Sequence, residues 1–255
     1  MSKRKRFILS SLILSLGFIG IRLLPDQYKI LSILGLSFLT LPLFYWSLQE
    51  GIFWDMTVMV LLQPFFFTLG VGFFWFLLPS SLFARIPIMV FYGFGIYALF
   101  LTSNIFTVAA MRTIALLRAA RGVGFLLSLI TMFLIFNALL SLRWWIYLTA
   151  PLIIFLSLPI YFQGFWTFNL DKSFSKDVFQ LSLVSALVTG QLATALFFWP
   201  VSLVVGSLFL TATAYVLLGL GQAYLEERLF PQTIRDFLLV GIGLFVGMIL
   251  STHWG

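Results

Sequence analysis

The charged residues of this chain stand far apart, and the uncharged runs between them have the lengths of membrane-spanning helices. Runs of 20, 21 and 19 residues cover positions 30–49, 122–142 and 237–255, and the longest is the 48-residue run 178–225. A helix needs about 20 apolar residues to cross a hydrocarbon layer roughly 30 Å thick. The pattern therefore predicts an all-α, polytopic transmembrane helical bundle.

The composition indicates that lipid, rather than water, surrounds most of the chain. Hydrophobic residues make up 62% and charged residues 9%, whereas soluble domains carry about 25% charged residues. The absence of cysteine excludes disulfides and cysteine nucleophiles. The net charge of +7 is not placed on a basic soluble module with interleaved aromatics, so no nucleic-acid partner is predicted. We interpret the positive charge as a signal of membrane topology and as an attraction to anionic lipid headgroups.

The longest uncharged run must contain two helices. As a single helix its 48 residues would extend about 72 Å at 1.5 Å per residue, and Trp199-Pro200 near its middle can end one helix and start another. One integral membrane domain of about nine spans is thus predicted over residues 1–255. The predicted spans cover 7–24, 30–48, 57–83, 86–109, 122–142, 145–166, 179–198, 201–224 and 237–251.

The basic residues predict the orientation of these spans. Lys3-Arg4-Lys5-Arg6 precede the first span without a small-residue cleavage site after it, which indicates an uncleaved helix. With alternate loops counted together, 11 of the 15 Lys and Arg residues share the side of the N-terminus. The positive-inside rule then predicts a multi-pass protein of the cytoplasmic (plasma) membrane, with the N-terminus cytoplasmic and the C-terminus outside. The loop 50–56 carries no base and departs from the rule.

Short matches in the same order suggest an internal duplication. Residues 38–42 (FLTLP) in span two resemble 155–159 (FLSLP) in span six, and Phe-Phe-Trp occurs at 73–75 and 197–199. One interpretation is two parallel four-helix repeats, 7–109 and 122–224, plus a ninth helix, 237–251, as in transporters with parallel repeats. The alternative is chance resemblance between helices rich in Leu and Phe.

No motif predicts catalysis. The chain has a single histidine, His253, and lacks a Gly-x-Ser-x-Gly elbow, a His-Glu-x-x-His pair and a Walker loop. No ionisable residue stands at the centre of a predicted span, where proton-coupled transporters and intramembrane proteases place such groups. We therefore expect no enzyme activity, no cofactor and no metal. Seven of the eight acids fall on the predicted inner side, and a Mg²⁺ site for a lipid-linked phosphate is the alternative to ordinary ion pairing.

Uncharged polar residues define one candidate site. A polar cavity would be lined by Gln63, Asn104, Gln163, Gln191 and Thr211. The alternative is hydrogen bonding between helices, worth about 0.6 kcal/mol on average in a membrane. We favour the second interpretation.

Two further features concern packing and headgroups. Ser182, Ala186 and Ala193 share one face of span seven, and Gly243 and Gly247 form a Gly-x-x-x-Gly pair in span nine; both patterns allow close helix contact, within the chain or with another chain. Arg112, Arg118 and Arg121 are candidate ligands for anionic headgroups if residues 112–121 lie in the membrane interface; alternatively this segment extends span four.

The leading hypothesis is a noncatalytic membrane protein that binds lipid or serves as a membrane subunit of a complex, as a homo- or hetero-oligomer. The first alternative is a transporter or flippase of a weakly polar or amphiphilic substrate, which would need the polar cavity. The second is a lipid-modifying enzyme at the cytoplasmic face, which would need inner-side carboxylates to converge.

Overall fold

A computed structural model describes residues 2–49, 54–79, 81–109, 115–170 and 175–252. Within these ranges the chain forms nine α-helices, one short 3-10 helix at Asp26–Tyr28 and no strand. The helices are α1 Lys3–Leu23, α2 Lys29–Leu48, α3 Trp54–Leu77, α4 Leu82–Ala109, α5 Leu117–Ser141, α6 Ile146–Asn169, α7 Lys176–Phe197, α8 Leu203–Leu225 and α9 Pro231–Leu250.

Eight of these helices, α2 to α9, are long and apolar enough to cross a membrane. The all-helical, membrane-spanning architecture predicted from the charge spacing is therefore confirmed. The helix α1 is not among the eight; its uncharged run, 7–21, has 15 residues, which extend about 22 Å. Its crossing of the membrane stays a prediction, and it would place Arg6 and Arg22 near the two interfaces.

The division of the 48-residue run is confirmed, since α7 ends at Phe197, α8 begins at Leu203, and Pro200 lies between them. Several predicted boundaries were wrong by four to six residues. The helix α3 ends at Leu77 rather than at 83, because Pro79 disfavours helical conformation in the preceding residue. The helix α9 begins at Pro231 rather than at 237. The charges of Arg235 and Asp236 end an apolar run but do not interrupt helical hydrogen bonds.

Two compact units divide the chain, Met1–Thr131 and Met132–Gly255, and the boundary falls inside α5. In the first unit α1 to α4 form a ring in which each helix packs on its chain neighbours and α4 also packs on α1. Neighbours run antiparallel. For example, Ser10 Oγ lies 3.1 Å from Ser47 Oγ, while a Cβ on Gly17 would meet Leu36.

Aromatic rings fill the first unit. Phe100 stacks between Phe7 and Phe44, with centroid distances of 5.2 and 3.7 Å. Tyr92 packs edge-on against Phe18 at 4.8 Å, and its hydroxyl lies 2.8 Å from Thr68 Oγ1. Basic side chains cover rings at the predicted outer end, where Arg85 lies 5.2 Å from the Trp75 ring and Lys29 lies 5.9 Å from the Phe76 ring. Such cation–π contacts hold the bases at the interface.

In the second unit α6, α7 and α8 pack on one another, and α9 packs on α8. The helices α6 and α7 come close at Gly190, where a Cβ would overlap Ile154. The Tyr161 hydroxyl lies 2.7 Å from Thr189 Oγ1 across the same pair of helices. The helix α9 is the least buried of the eight candidate spans, and Met248 is its buried residue within the described part of the chain.

The segments that suggested a duplication both lie inside helices. Pro42 is in α2 and Pro159 is in α6. Two residues before each proline stands a buried hydroxyl, Thr40 or Ser157, that donates to the carbonyl three residues earlier in its own helix. The duplication stays a hypothesis, because such local bonds are common for Ser and Thr in apolar helices.

Candidate functional site

The five predicted cavity residues divide between the two units. Gln63 is buried in α3, and its Nε2 donates to Gly124 O and to Ser128 Oγ on α5, both at 3.0 Å. This amide therefore joins two helices within the first unit. Such bonds between helices are the role that we favoured for Gln63 from the sequence.

The other four residues have different surroundings. Asn104 is half-buried on α4 in the first unit. In the second unit Gln163 is buried in α6 and Gln191 is exposed on α7. Thr211 Oγ1 donates to Ser207 O of its own helix at 2.8 Å.

The described part of the basic segment belongs to α5, whose first turn is formed by residues 117–121; residues 110–114 lie outside the described residues, so the extension of span four stays a prediction. Arg118 is exposed there and Arg121 is half-exposed, whereas Arg112 lies outside the described residues. Both described arginines thus stand at the predicted inner end of a span, where anionic headgroups would lie.

The packing residues fall into two groups. Ser182, Ala186 and Ala193 lie on the buried face of α7. Gly243 and Gly247 differ, since no described atom comes within 4 Å of the position that a Cβ would take at either residue. Their face of α9 is open within the described part of the chain.

A groove that the sequence did not predict runs between α1 and α4 in the first unit. Its volume is about 500 Å³, which is within the usual range of ligand sites. Side chains of both helices line it: Ile8, Ser11, Leu12, Ser15, Leu16, Met89, Val90, Gly93, Phe94 and Tyr97. The walls are almost wholly apolar, and several wall side chains, including Leu12 and Phe94, are more than half exposed on the lipid-facing surface.

Close approach of two small residues forms the floor of this groove. A Cβ on Gly93 would lie 2.6 Å from Ser15 Oγ, so a larger residue at this crossing would require the Ser15 side chain to move. Ser15 is buried, and no described polar group lies within hydrogen-bond distance of its hydroxyl. This is an unusual state, because Ser in a helix normally donates to the carbonyl four residues earlier. The hydroxyl is available to an acceptor that enters the groove.

The groove leads toward the basic first turn of α1. At 100° per residue, Arg4 and Lys5 fall in the same sector of α1 as the lining residues, and both are exposed. The contacts of Phe7 with Phe100 and of Ser15 with Gly93 fix the antiparallel register. In that register Asn104 stands level with Arg4 on the groove side of α4. Arg6 instead turns inward, and its Nη1 donates to Trp46 O at 3.3 Å.

The second unit has a cavity of about 490 Å³ at the predicted inner ends of α7 and α8. Asp177, Gln180 and Tyr224 form its polar edge, and Leu181, Val184 and Leu217 belong to its apolar wall. An apolar interior with a polar edge suits an amphiphile.

The carboxylates of the described residues are mainly next to bases. Glu226 lies 3.6 Å from Arg228, and Asp236 lies 4.0 Å from Arg235. No group of three or more potential ligands, His, Asp or Glu, comes together among the described residues. The side chains of Glu50, Asp55 and Asp171 lie outside the description, so the convergence of inner-side carboxylates stays a prediction.

Comparison with known proteins gives a match to one family model. A family model described as a protein of unknown function, DUF5656, matches residues 47–251. No curated protein and no solved structure matches the chain.

Proposed function

Since this chain belongs to the DUF5656 family of membrane-spanning helical proteins of unknown function, we propose on geometric grounds that it binds an anionic phospholipid in the groove between α1 and α4. The single observation that carries the proposal is that an exposed basic turn, with Arg4 and Lys5, stands on the groove side of α1 one turn before Ile8. A phospholipid matches these two features in the same order, because its anionic phosphate headgroup is followed by long apolar chains.

The apolar part of the proposed ligand is supported by the walls of the groove. Ile8, Leu12 and Phe94 would contact an acyl chain, and the absence of a side chain at Gly93 deepens the groove where α1 and α4 cross. The surrounding bilayer also offers acyl chains to any apolar groove, so chain burial alone gives little selectivity. Selectivity must come from the headgroup end.

The headgroup part is supported by charge. Arg4 and Lys5 are exposed in the sector that leads to the groove, and Asn104 would add an amide donor at the same level. Each basic residue near an anionic surface contributes about 1 kcal/mol. With the predicted orientation, N-terminus cytoplasmic and C-terminus outside, the ligand would come from the inner leaflet of the cytoplasmic membrane.

The transporter alternative has less support from the described residues. Gln63 joins α3 to α5, Thr211 bonds to its own helix, and Gln191 is exposed. A noncatalytic lipid-binding role does not require these side chains to lie close together.

The test is the lipid that copurifies with the full chain in a mild uncharged detergent, measured by native mass spectrometry. Leu12→Trp would fill the groove from its exposed rim, and we expect it to lose most of the bound lipid. The matched control is Leu208→Trp on α8, whose side chain is similarly exposed. Arg4→Gln with Lys5→Gln should keep lipid but lose the preference for anionic headgroups. Equal lipid content and selectivity in all of these proteins would overturn the proposal.

A second candidate role, as a membrane subunit of an assembly, is favoured by α9. Its Gly243 and Gly247 face is open, and the helix is held to its unit along one side by contacts such as Phe237 against Tyr215, at a centroid distance of 5.5 Å. Small residues at four-residue spacing support close helix pairing in lipid. Oxidative crosslinking in membranes tests this role: Gly243→Cys should form a covalent dimer or adduct. Gly241→Cys, next to Val216 of α8, should not.

A further inference from the structure

A second, smaller cavity lies at the predicted outer end of the second unit, where α5 turns into α6 and α7 turns into α8. Its volume is about 310 Å³. The wall residues that matter here are Arg143, Trp144, Thr149, Trp199, Ser202 and Gly206. It shares no residue with the groove between α1 and α4.

The wall of this cavity carries a positive charge, and the segments that form the wall contain no acidic residue. Arg143 is the charged residue of the wall. The segments that build this end, 140–149, 196–206 and 249–252, contain no Asp or Glu. Because these segments offer Arg143 no carboxylate, this arginine is suited to bind an anion that a ligand supplies. Its planar guanidinium group matches the geometry of phosphate oxygens.

The helix α8 adds to the positive electrostatic potential in this cavity. Its first turn, from Val201 to Gly206, forms part of the wall, and Ser202 Oγ accepts from Val205 N at 3.4 Å as the N-cap. The positive end of this 23-residue helix therefore faces the cavity beside Arg143. Arg143, which is exposed, and the first turn of α8 line the same small volume.

The aromatic walls are fixed in place. Trp199 Nε1 donates to Thr252 Oγ1 at 3.0 Å, and Thr252 Oγ1 donates in turn to Met248 O of α9 at 2.8 Å. The Trp199 ring also packs against Phe245, with a centroid distance of 6.4 Å. Thr149, which is buried, also lines the cavity, and its hydroxyl donates to the carbonyls of Trp144 and Trp145 at 3.3 Å. Rings of this kind suit the glycerol region of a lipid at the membrane–water interface.

The backbone at Arg143 does not require an arginine. Its φ of 48° lies in the left-handed region, where Gly and Asn are favoured. Leu170 and Glu227 occupy the same conformation after other helices. The conformation is thus a general way of ending helices in this chain, and the arginine side chain needs another explanation.

We propose that this cavity binds a phosphate group, carried by a lipid headgroup or free in solution, through Arg143 and the first turn of α8. It would be a second anion site, on the predicted outer side of the membrane, distinct from the lipid groove of the first unit. Arg143 would bind the phosphate oxygens, and Trp144 and Trp199 would contact the glycerol or the adjoining chain.

The test is thermal unfolding of the full chain in uncharged detergent, followed during titration with three probes: dioctanoyl phosphatidic acid, dioctanoylglycerol and sodium phosphate, the last against sodium chloride of equal ionic strength. Arg4→Gln and Lys5→Gln are present throughout, so that the first site has no preference for a phosphate headgroup. A larger rise in Tm with phosphatidic acid than with dioctanoylglycerol is expected. If sodium phosphate alone raises the Tm, free phosphate is a ligand; if only the lipid does, the headgroup is the ligand. No phosphate-dependent rise overturns the proposal.

The decisive variant is Arg143→Asn, which removes the guanidinium and suits the left-handed backbone. It should fold normally and bind phosphatidic acid at least tenfold more weakly. Leu170→Asn, with the same backbone conformation, controls for the cap, and Arg235→Gln, at an exposed arginine outside both proposed sites, controls for the loss of one positive charge. Both controls should titrate as the parent. Arg143→Gln serves if the asparagine variant is unstable. Binding that is unchanged in the Arg143 variants would overturn the proposal.

Discussion

Tyr161 donates its hydroxyl hydrogen to Thr189 Oγ1. The two oxygens lie 2.7 Å apart, and the Thr189 hydroxyl hydrogen is already directed to Ser185 O at 2.9 Å. Both side chains are buried, so this chain of two bonds fixes α6 against α7 where no water competes.

Tyr161→Phe should therefore destabilise the protein modestly. The expected loss is about 0.6 kcal/mol and at most roughly 1.7 kcal/mol, the range measured for hydrogen bonds between membrane helices. The measurement is reversible unfolding in mixed detergent micelles. Tyr147→Phe, at a ring that is mostly exposed, is the control and should be neutral. A double-mutant cycle with Thr189→Ala that gives no coupling would contradict the assignment.

Gly190→Ala should be more costly, because the new Cβ would overlap Ile154 on α6. Overpacking of this kind typically costs about 1–3 kcal/mol. Ile154→Ala in the same chain should recover part of the loss by making room. Gly243→Ala, where no described atom lies within 4 Å of the new Cβ, should be neutral or slightly stabilising. Equal unfolding free energies for the two alanine variants would show that the α6–α7 contact is looser than described.

Substitution by leucine should change the stability of the protein in opposite directions at two glutamines. Gln63→Leu removes two bonds between α3 and α5 and should cost about 1 kcal/mol, at about 0.6 kcal/mol for each bond. Gln191→Leu removes an exposed amide from a helix surface that would face lipid, and should be neutral or stabilising. The same unfolding assay measures both. A loss of stability at Gln191 would instead indicate a polar partner for that side chain.

The topology can be mapped with single cysteines, because the native chain has none. With the predicted orientation, a membrane-impermeant thiol reagent should label Gln27→Cys and Trp144→Cys in intact cells. It should label Arg118→Cys only after the cells are opened. All three positions are exposed in the structure, so failure to react would reflect sidedness rather than burial. Labelling of Arg118→Cys in intact cells would reverse the orientation.

The sequence predicted the helices well because the signal is local. Charges and the Trp199-Pro200 pair bound the apolar runs, and each run became one helix or, in the longest, two. Boundaries were less accurate at α3 and α9. Helical hydrogen bonding continues through charged residues such as Arg235, whereas a proline two residues after Leu77 stops it earlier than hydropathy suggests.

The candidate sites were harder to predict, because they depend on which helices meet. Nothing in the sequence indicates that Ser15 approaches Gly93, so the groove between them had no local signature. The Gln63 amide was recognised as unusual, but its partners, Gly124 and Ser128, are more than 60 residues away. Arg143 had no signature of a site in the sequence, since the cavity beside it also needs the turn at Ser202.

The closure of the first ring by α4 on α1 has a consequence for biosynthesis. The contact between Ser15 and Gly93 joins residues about 80 positions apart, which a ribosome adding 5–20 residues per second makes on the order of several seconds apart. During that delay the side of α1 that will meet α4 has no partner from its own chain. The nascent helix must wait beside the insertion machinery or among lipids, and lipid could already occupy this face when α4 arrives.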